Sequence, residues 1–441
     1  MIYDQIIGSP RLFGIETEFF VIDSKGSVVD KADEVLSALK GKLTSSSLTK
    51  ECGSAMLEHI TFPHTSVKPS IENLLSDFEH LLIELERMDL GIFNLSTYPG
   101  KNKGTARKDR RYAIKENILG KQNFQVANRC IGFHFHYSLP RNSFNPNHRF
   151  FFMDISSNSK SRVLDLFNMY IAIDPAVTAL MQSSPYYEGK RIGKDSRAIY
   201  YRGDHMPGSL YEMQPEFGVL NEYCTDFDAL LHKISERTAK WKYLLKKEGA
   251  NLSEFAKDDA EISALDSSWK PVKITSHGTI EYRGSDMNSF EKILGLSFAL
   301  KYTSRHIEKS SVSVLPSEIG TENPFREEDN VLHVPTFDKI KSLEGKSLFS
   351  GFESKEALYY SKRFLDYVEK QMPHDERMML RPFRNAVEEK KTTSDEVIAY
   401  VKKRQGESEI IYDDTAKDFA LMSHDRIFKD LLKSKSIAWH I

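Results

Sequence analysis

The sequence predicts an α+β fold in which one curved sheet lines a polar cavity, with helices packed outside it and a mainly helical carboxy-terminal extension. Three observations predict it. Short segments alternate apolar and polar side chains, the period of a strand with one wet face. Longer stretches repeat apolar residues at steps of three and four, the period of a helix with one buried face. Composition then changes after about residue 310.

Residues 12–22 read as the first strand. Residues 70–89 read as a helix, with Ile71, Leu74, Leu75, Phe78, Leu81 and Leu85 on one stripe and Gly91 as a stop. Residues 131–139 alternate again and end at Pro140. Residues 163–181 resume the helical period and close at the Ser183-Ser184-Pro185 turn. Residues 278–283 make a short strand opened by Gly278, and 289–304 read as a helix. The stretch 311–330, rich in turn formers and charge, reads as a linking loop. Beyond it, 354–371 and 393–404 read as helices. The second opens at Thr393-Ser394-Asp395-Glu396, a capping box, and stops near Gly406. The division is a catalytic unit of residues 1–310 and an extension of residues 311–441.

Composition bounds the function. Of 441 residues, 40% are hydrophobic, enough for a core, so wholesale disorder is excluded. Sixty-one basic and 63 acidic residues leave a net charge of −2, so no global field argues for a nucleic-acid partner. Cys52, Cys130 and Cys224 make no disulfide framework and no Cys-x-x-Cys pair; they read as idle thiols in a reducing compartment. The start has no signal-peptide pattern, and no apolar run reaches ~18 residues. The expectation is a cytoplasmic protein with no membrane and no nucleic-acid partner; a homo-oligomer is left open.

The chemistry lies on the polar faces. In Leu12–Val21, Ile15, Thr17, Phe19 and Val21 share one face, and Glu16 and Glu18 share the other. Two such carboxylates sit roughly 6.5–7 Å apart at the backbone and point the same way. The plain alternative is a strand with one wet face. In Ile131–Leu139, Phe133, Phe135, Tyr137 and Leu139 oppose His134, His136 and Ser138. A lone buried His is usually a satisfied core residue; two on one face of an aromatic strand favour a metal or phosphate site. In Gly278–Arg283, Thr279, Glu281 and Arg283 share a face, which alone also suits an ordinary ion pair. Glu51 and Glu58 need a turn at Gly53-Ser54 between them if both serve one site. Lys101–Arg111 holds six basic residues and one acid. It reads first as a solvated loop, then as a lid over a triphosphate, and least as a nucleic-acid contact.

Suppose Glu16, Glu18, Glu58 and Glu281 converge. Each pair ~6–7 Å apart then repels by roughly 2–3 kcal/mol at an effective dielectric of ~20. The six pairs together rival the roughly 5–15 kcal/mol that holds a domain folded. Cations must neutralise the cluster, or some groups must stay protonated. Hard oxygen donors select Mg2+ or Mn2+. Carboxylates with a His ligand and a nearby Arg suit phosphoryl transfer from ATP. No Gly-x-x-x-x-Gly-Lys-Ser/Thr loop is present.

Taken in order, these pieces resemble the glutamine synthetase/glutamate–cysteine ligase superfamily, and more closely the carboxylate–amine ligases, or type 2 glutamate–cysteine ligases. Further pieces are Thr61-Phe62-Pro63, Arg111-Tyr112, Ser183–Gly189, Asp195-Ser196-Arg197 and Gly284-Ser285-Asp286; the match covers about residues 11–305. The resemblance implies a strongly curved, mainly antiparallel sheet forming a funnel. It implies that Glu16, His134 and Glu281 hold the metal nearest the transferred phosphoryl group and that Glu18, Glu51 and Glu58 hold a second. His136, Ser138 and Arg197 would meet ATP. Arg111 and Tyr112 would meet substrate, Arg283 its carboxylate or phosphate, with Arg283 and Glu281 catalytic. The implied reaction joins a small-molecule carboxylate, an amino acid such as glutamate, to an amine through an acyl phosphate. There are departures. The family's Gly-x-His-Pro segment stands as Ser96-Thr97-Tyr98-Pro99-Gly100. Its Trp-Asp-x-Arg-Pro stretch stands as Trp269-Lys270-Pro271-Val272-Lys273, so a substrate-contacting Arg is either missing or replaced by Lys273, which lacks a bidentate fork. Two other readings stay open: a zinc hydrolase using His134 and His136, and a non-catalytic nucleotide-binding relative.

Overall fold

Unbroken alternation over eleven residues makes β1 (Phe13–Asp23) the axis of the sheet. A computed structural model describes residues 11–43, 46–250, 265, 268–310 and 312–439. The start of the chain, on which the signal-peptide expectation rests, lies outside the described residues. The other main strands are β2 (Ser46–Lys50), β3 (Met56–Thr61), β4 (Leu90–Phe93) and β5 (Gly132–Ser138). Two hairpins follow, β6 (Phe144–Asn145) with β7 (Phe150–Phe151) and β8 (Tyr186–Tyr187) with β9 (Lys190–Arg191). The sheet is completed by β10 (Val272–Ile274) and β11 (Thr279–Asp286). Its order is β10-β11-β5-β1-β3-β2, every pairing is antiparallel, and β4 continues β5's edge along the far half of β1.

Helices cover the outer face and the ends. They are α1 (Ala32–Leu39), α2 (Val67–Arg87), α3 (Arg110–Leu119), α4 (Lys121–Phe124), α5 (Ser157–Met181), α6 (Ser196–Arg202), α7 (Phe227–Lys247) and α8 (Phe290–Lys309). In the extension follow α9 (Phe337–Ser350), α10 (Lys355–Gln371), α11 (Arg381–Glu389), α12 (Thr393–Gln405) and α13 (Asp413–Trp439). The helix α5 starts six residues before its apolar period does, because its first turn is polar and is fixed by Ser156, whose hydroxyl accepts from Ser159 N–H at 3.2 Å. Its remaining turns lie in the interior and are mainly apolar, with Arg162, Asp165, Asn168 and Asp174 as buried exceptions.

Three expectations need correction. The reading that nothing is apolar enough to cross a membrane misses α5, which has the length and composition of a span, though 94% of that window is buried inside the protein. Asp165 and Asp174 interrupt the apolar run and hide it from a count of consecutive residues. Residues 311–330 are not simply loop. They contribute β12 (Ser313–Ser317) and β13 (Arg326–Glu328), which with β14 (Val331–Pro335) form a small mixed sheet. Strands this short, with Pro316 in one and Arg326-Glu327-Glu328 at an edge, carry almost no alternation. The capping box of α12 sits one residue earlier than read: Asp395 accepts from the Thr392 N–H at 2.8 Å and from its hydroxyl at 2.9 Å.

Hydrophobic packing runs through residue 310 without a break. Tyr360, Phe364 and Phe419 from the extension share one core with Phe19, Phe78 and Phe93. Phe93 and Phe419 meet edge to face at 6.3 Å. Tyr360 donates its hydroxyl to the Ala172 carbonyl of α5 at 2.7 Å. All three cysteines are buried and free.

Candidate active site

Register decides which side chains meet. In an antiparallel pair, residues directly opposite share a face. Glu16 lies opposite His134, Glu18 opposite Glu58, Glu281 opposite His136 and Lys273 opposite Glu281. The alternation of each strand thereby adds up to one polar hollow crossing five strands. The turn at Gly53-Ser54 brings Glu51 back beside Glu58, as two carboxylates serving one site require. A bulge in β11 between Tyr282 and Ser285 breaks the register against β5. Such a bulge re-aims side chains, and here Arg283 is turned toward Glu281, its Nη1 3.1 Å from Oε1.

The contacts are close. His134 Nδ1 stands 2.9 Å from Glu16 Oε2, and its Nε2 3.7 Å from Glu18 Oε1. His136 Nε2 stands 3.1 Å from Glu16 Oε1 and 4.0 Å from Glu281 Oε1, while its Nδ1 lies 2.9 Å from the Thr279 hydroxyl. Lys273 Nζ is 3.3 Å from Glu281 Oε2. At the other end Glu18 accepts from the Gly132 N–H at 2.6 Å, and Thr49 donates to Glu58 at 3.1 Å. Three sets of ligand atoms lie within 4.8 Å of one another: Glu16–Glu58–His134, Glu16–His136–Glu281 and Glu18–Glu51–Glu58. Every expected metal ligand falls in one of them. His136, which the resemblance puts at phosphate, groups with Glu16 and Glu281, and His134 also reaches toward Glu58.

Charge divides the hollow in two. Burial raises the Glu281 carboxyl, but Arg283, Lys273 and the two imidazoles outweigh it and hold it down to about 2. Burial likewise opposes ionisation of Glu16, and His136 and His134 overcome it. Burial and the nearby Arg283 push His134 down to about 4, whereas Glu16 and Glu281 raise His136 in spite of burial. At the far end burial, then Glu51, outweigh the opposing pull of Arg197 and Arg283 and push Glu18 up to about 8. That end holds a proton where a cation would serve. The buried atoms His134 Nε2, His136 Nε2 and Glu281 Oε1 make no aligned hydrogen bond, so donors remain for an ion. Oxygen-rich sets with single imidazoles fit Mg2+ or Mn2+ better than zinc.

The remaining expected residues frame the hollow. Trp269 makes a wall, with Tyr201 stacked on it at 4.2 Å and the Arg283 and Arg197 guanidinium groups over it at 5.4 and 5.3 Å. Arg197 is buried and donates to the Ser285 and Arg283 carbonyls at 3.0 and 3.2 Å, bracing the bulge. A Cβ on Gly132 would come 2.1 Å from Arg197 Nη2, so any larger residue there must displace the guanidinium. The Ser138 hydroxyl accepts from Leu12 N–H at 3.0 Å at the strand end. Arg111 opens α3 and donates to the Tyr112 hydroxyl at 2.7 Å. The basic stretch before it is a largely exposed loop, as read, tied down at Arg107. Arg107 donates to the Glu51 carbonyl at 2.7 Å and to Asp33 at 2.6 Å, strapping the β2–β3 turn. Sequence reasoning missed Thr49, Thr279, Tyr201 and Arg107. Thr279 had a signal in its shared face with Glu281, and Arg107 in its place within the basic stretch.

The profile of Glutamate-cysteine ligase family 2 matches residues 12–247. Glu281 and Arg283 lie beyond that span and join the site through the register of β11. No curated protein sequence matches the chain. Among solved structures, a glutamate–cysteine ligase from Francisella tularensis in complex with AMP superposes with a TM-score of 0.58 at 15% identity, over 98% of this chain and 93% of that one. A bifunctional glutathione synthetase from Pasteurella multocida superposes with a TM-score of 0.54 at 12% identity, over 95% of this chain and 53% of that one. The fold is thus common to proteins of very different sequence, and the family profile covers more than half of the chain: it belongs to glutamate–cysteine ligase family 2.

Proposed function

We propose that this ATP-dependent amide-bond ligase joins a small-molecule carboxylate, an amino acid such as glutamate, to an amine through an acyl phosphate, with Mg2+ or Mn2+ in the carboxylate hollow. One observation carries the reading: three ligand sets, linked by Glu16 and Glu58 that each belong to two of them, meet in a single hollow that also holds Arg283 and Lys273. Divalent ions there would offset charge on the triphosphate and on the phosphoryl group in transfer.

The chain's own residues then divide the work. Glu16, Glu281 and an imidazole would hold one ion, and Glu18, Glu51 and Glu58 the other. Arg283, held beside Glu281, offers guanidinium N–H groups to the oxygens of the transferring phosphoryl or to the acid. The substrate carboxylate attacks the γ-phosphorus, the bond to the β-phosphate oxygen breaks, and ADP leaves. The amine nitrogen then attacks the acyl carbon, inorganic phosphate departs and the amide remains. Positioning supplies much of the rate, because the carboxylate need only be held in line with the leaving oxygen. Lys273 on β10 stands where a cation would meet the acid's charge.

Purified protein with Mg-ATP and a panel of amino acids and amines should release phosphate faster when an acceptable amine is added. Glu16→Gln should abolish that release; equal release by the variant overturns the assignment. Stoichiometric zinc by elemental analysis would overturn the metal reading.

A further inference from the structure

The extension sends one side chain to the floor of the candidate site. Glu344 of α9 accepts from Arg202 at the end of α6 and from Lys341. Arg202 turns its fork onto Asp174 in the middle of α5, Nη1 to Oδ2 at 2.7 Å and Nη2 to Oδ1 at 3.0 Å. Asp174 Oδ1 also accepts the Tyr282 hydroxyl at 3.0 Å. Glu344, Arg202, Asp174 and Tyr282 each have 0% exposure. Tyr282 is the residue between Glu281 and Arg283, its ring turned to the opposite face. Asp174 lies directly beneath the bulge, for a Cβ on Gly284 would come 2.6 Å from its Oδ1.

Stability does not explain such a chain. Two carboxylates and a guanidinium taken wholly out of water lose hydration that their attraction roughly repays, and apolar replacements are often neutral. What the chain does fix is geometry. A bidentate Arg–carboxylate pair holds Asp174 in one orientation. Asp174 in turn gives the Tyr282 hydroxyl one place to point, at the position where β11 departs from regular pairing.

We infer that Glu344, Arg202, Asp174 and Tyr282 form a positioning relay that sets the bend of β11 and so aims Glu281 and Arg283 into the hollow; its catalytic consequence rests on the ligase reading. The extension is then part of the active-site framework. None of the four touches substrate, so all are positioning residues.

The test uses the full chain with Glu344→Gln and Tyr282→Phe, each read by hydrogen exchange and by turnover. Amides of residues 281–286 should exchange about tenfold faster or more, with β1 and β3 amides unchanged. Turnover should fall about tenfold in kcat, with KM for Mg-ATP within about twofold. Distant sites normally contribute independently, so Glu344→Gln combined with Arg283→Lys should lose less than the product of the single losses. Unchanged exchange in β11 overturns the relay, and so does a uniform rise across the whole sheet, which would mark a merely structural role. Should Tyr282→Phe fail to fold, Glu344→Gln carries the same readouts. Should the unmodified protein turn over no acid and amine pair, the ligase reading falls, and exchange in β11 still decides the relay.

Discussion

Glu18 is the residue whose environment makes the sharpest demand. Its carboxyl, at about 8 without a cation, is protonated at pH 7. An entering ion must displace that proton. Affinity for Mg2+ or Mn2+ should therefore rise about tenfold per pH unit up to about 8 and then level off, with about one proton released at pH 7. Calorimetry in buffers of different ionisation enthalpy measures both, and pH-independent binding would contradict the shift. The linked stability runs the other way. The folded value lies above the ordinary 4.5, so the metal-free protein is favoured at low pH and loses stability as pH rises toward 8. Lys273 makes a second demand. Replacing it with Met should raise KM for the acid about tenfold or more, from the ~1.5–3 kcal/mol of a charged hydrogen bond, and leave KM for ATP unchanged. A shift confined to ATP would place Lys273 elsewhere. The carboxylates and imidazoles were legible in the sequence because a strand puts alternate residues on one face. Asp174, Arg202 and Glu344 were not, since each is a single charge on a helix, far from the others in the chain.

At the scale of elements, the bulged β11 and its brace matter most. Gly132 leaves room for the Arg197 guanidinium, which is pinned by two carbonyls. Gly132→Ala should then destabilise the protein by about 1–3 kcal/mol, the usual cost of overfilling a packed interior. Urea denaturation checks it, and an unchanged midpoint would mean that Arg197 moves freely. Strong periodicity made the long elements readable: β1, β5, α2, α8 and α10 lie close to where the pattern put them. Their ends were less readable, as in α5, whose polar first turn has no apolar period, and in α12, whose cap is one residue upstream. The three strands of residues 313–335 escaped because pairing with neighbours, not alternation, makes them strands.

Across the whole molecule, one core unites the sheet with the carboxy-terminal helices. A fragment ending at residue 310 would expose the apolar surface that α10 and α13 cover and leave Arg202 without Glu344. Arg202 keeps its pairing with Asp174, so the larger loss is the apolar burial, at about 25 cal/mol per Å2 of surface re-exposed. The 1–310 fragment should therefore bind a hydrophobic dye and unfold without cooperativity; a sharp thermal transition in circular dichroism would show that it folds alone. The burial of the cysteines has its own consequence. Burial pushes the Cys52, Cys130 and Cys224 thiols up, so none is a ready thiolate. Agents that seek a thiolate find none within reach on the native molecule. Inactivation by such agents would have to wait for the interior to open, and its rate would clock that opening.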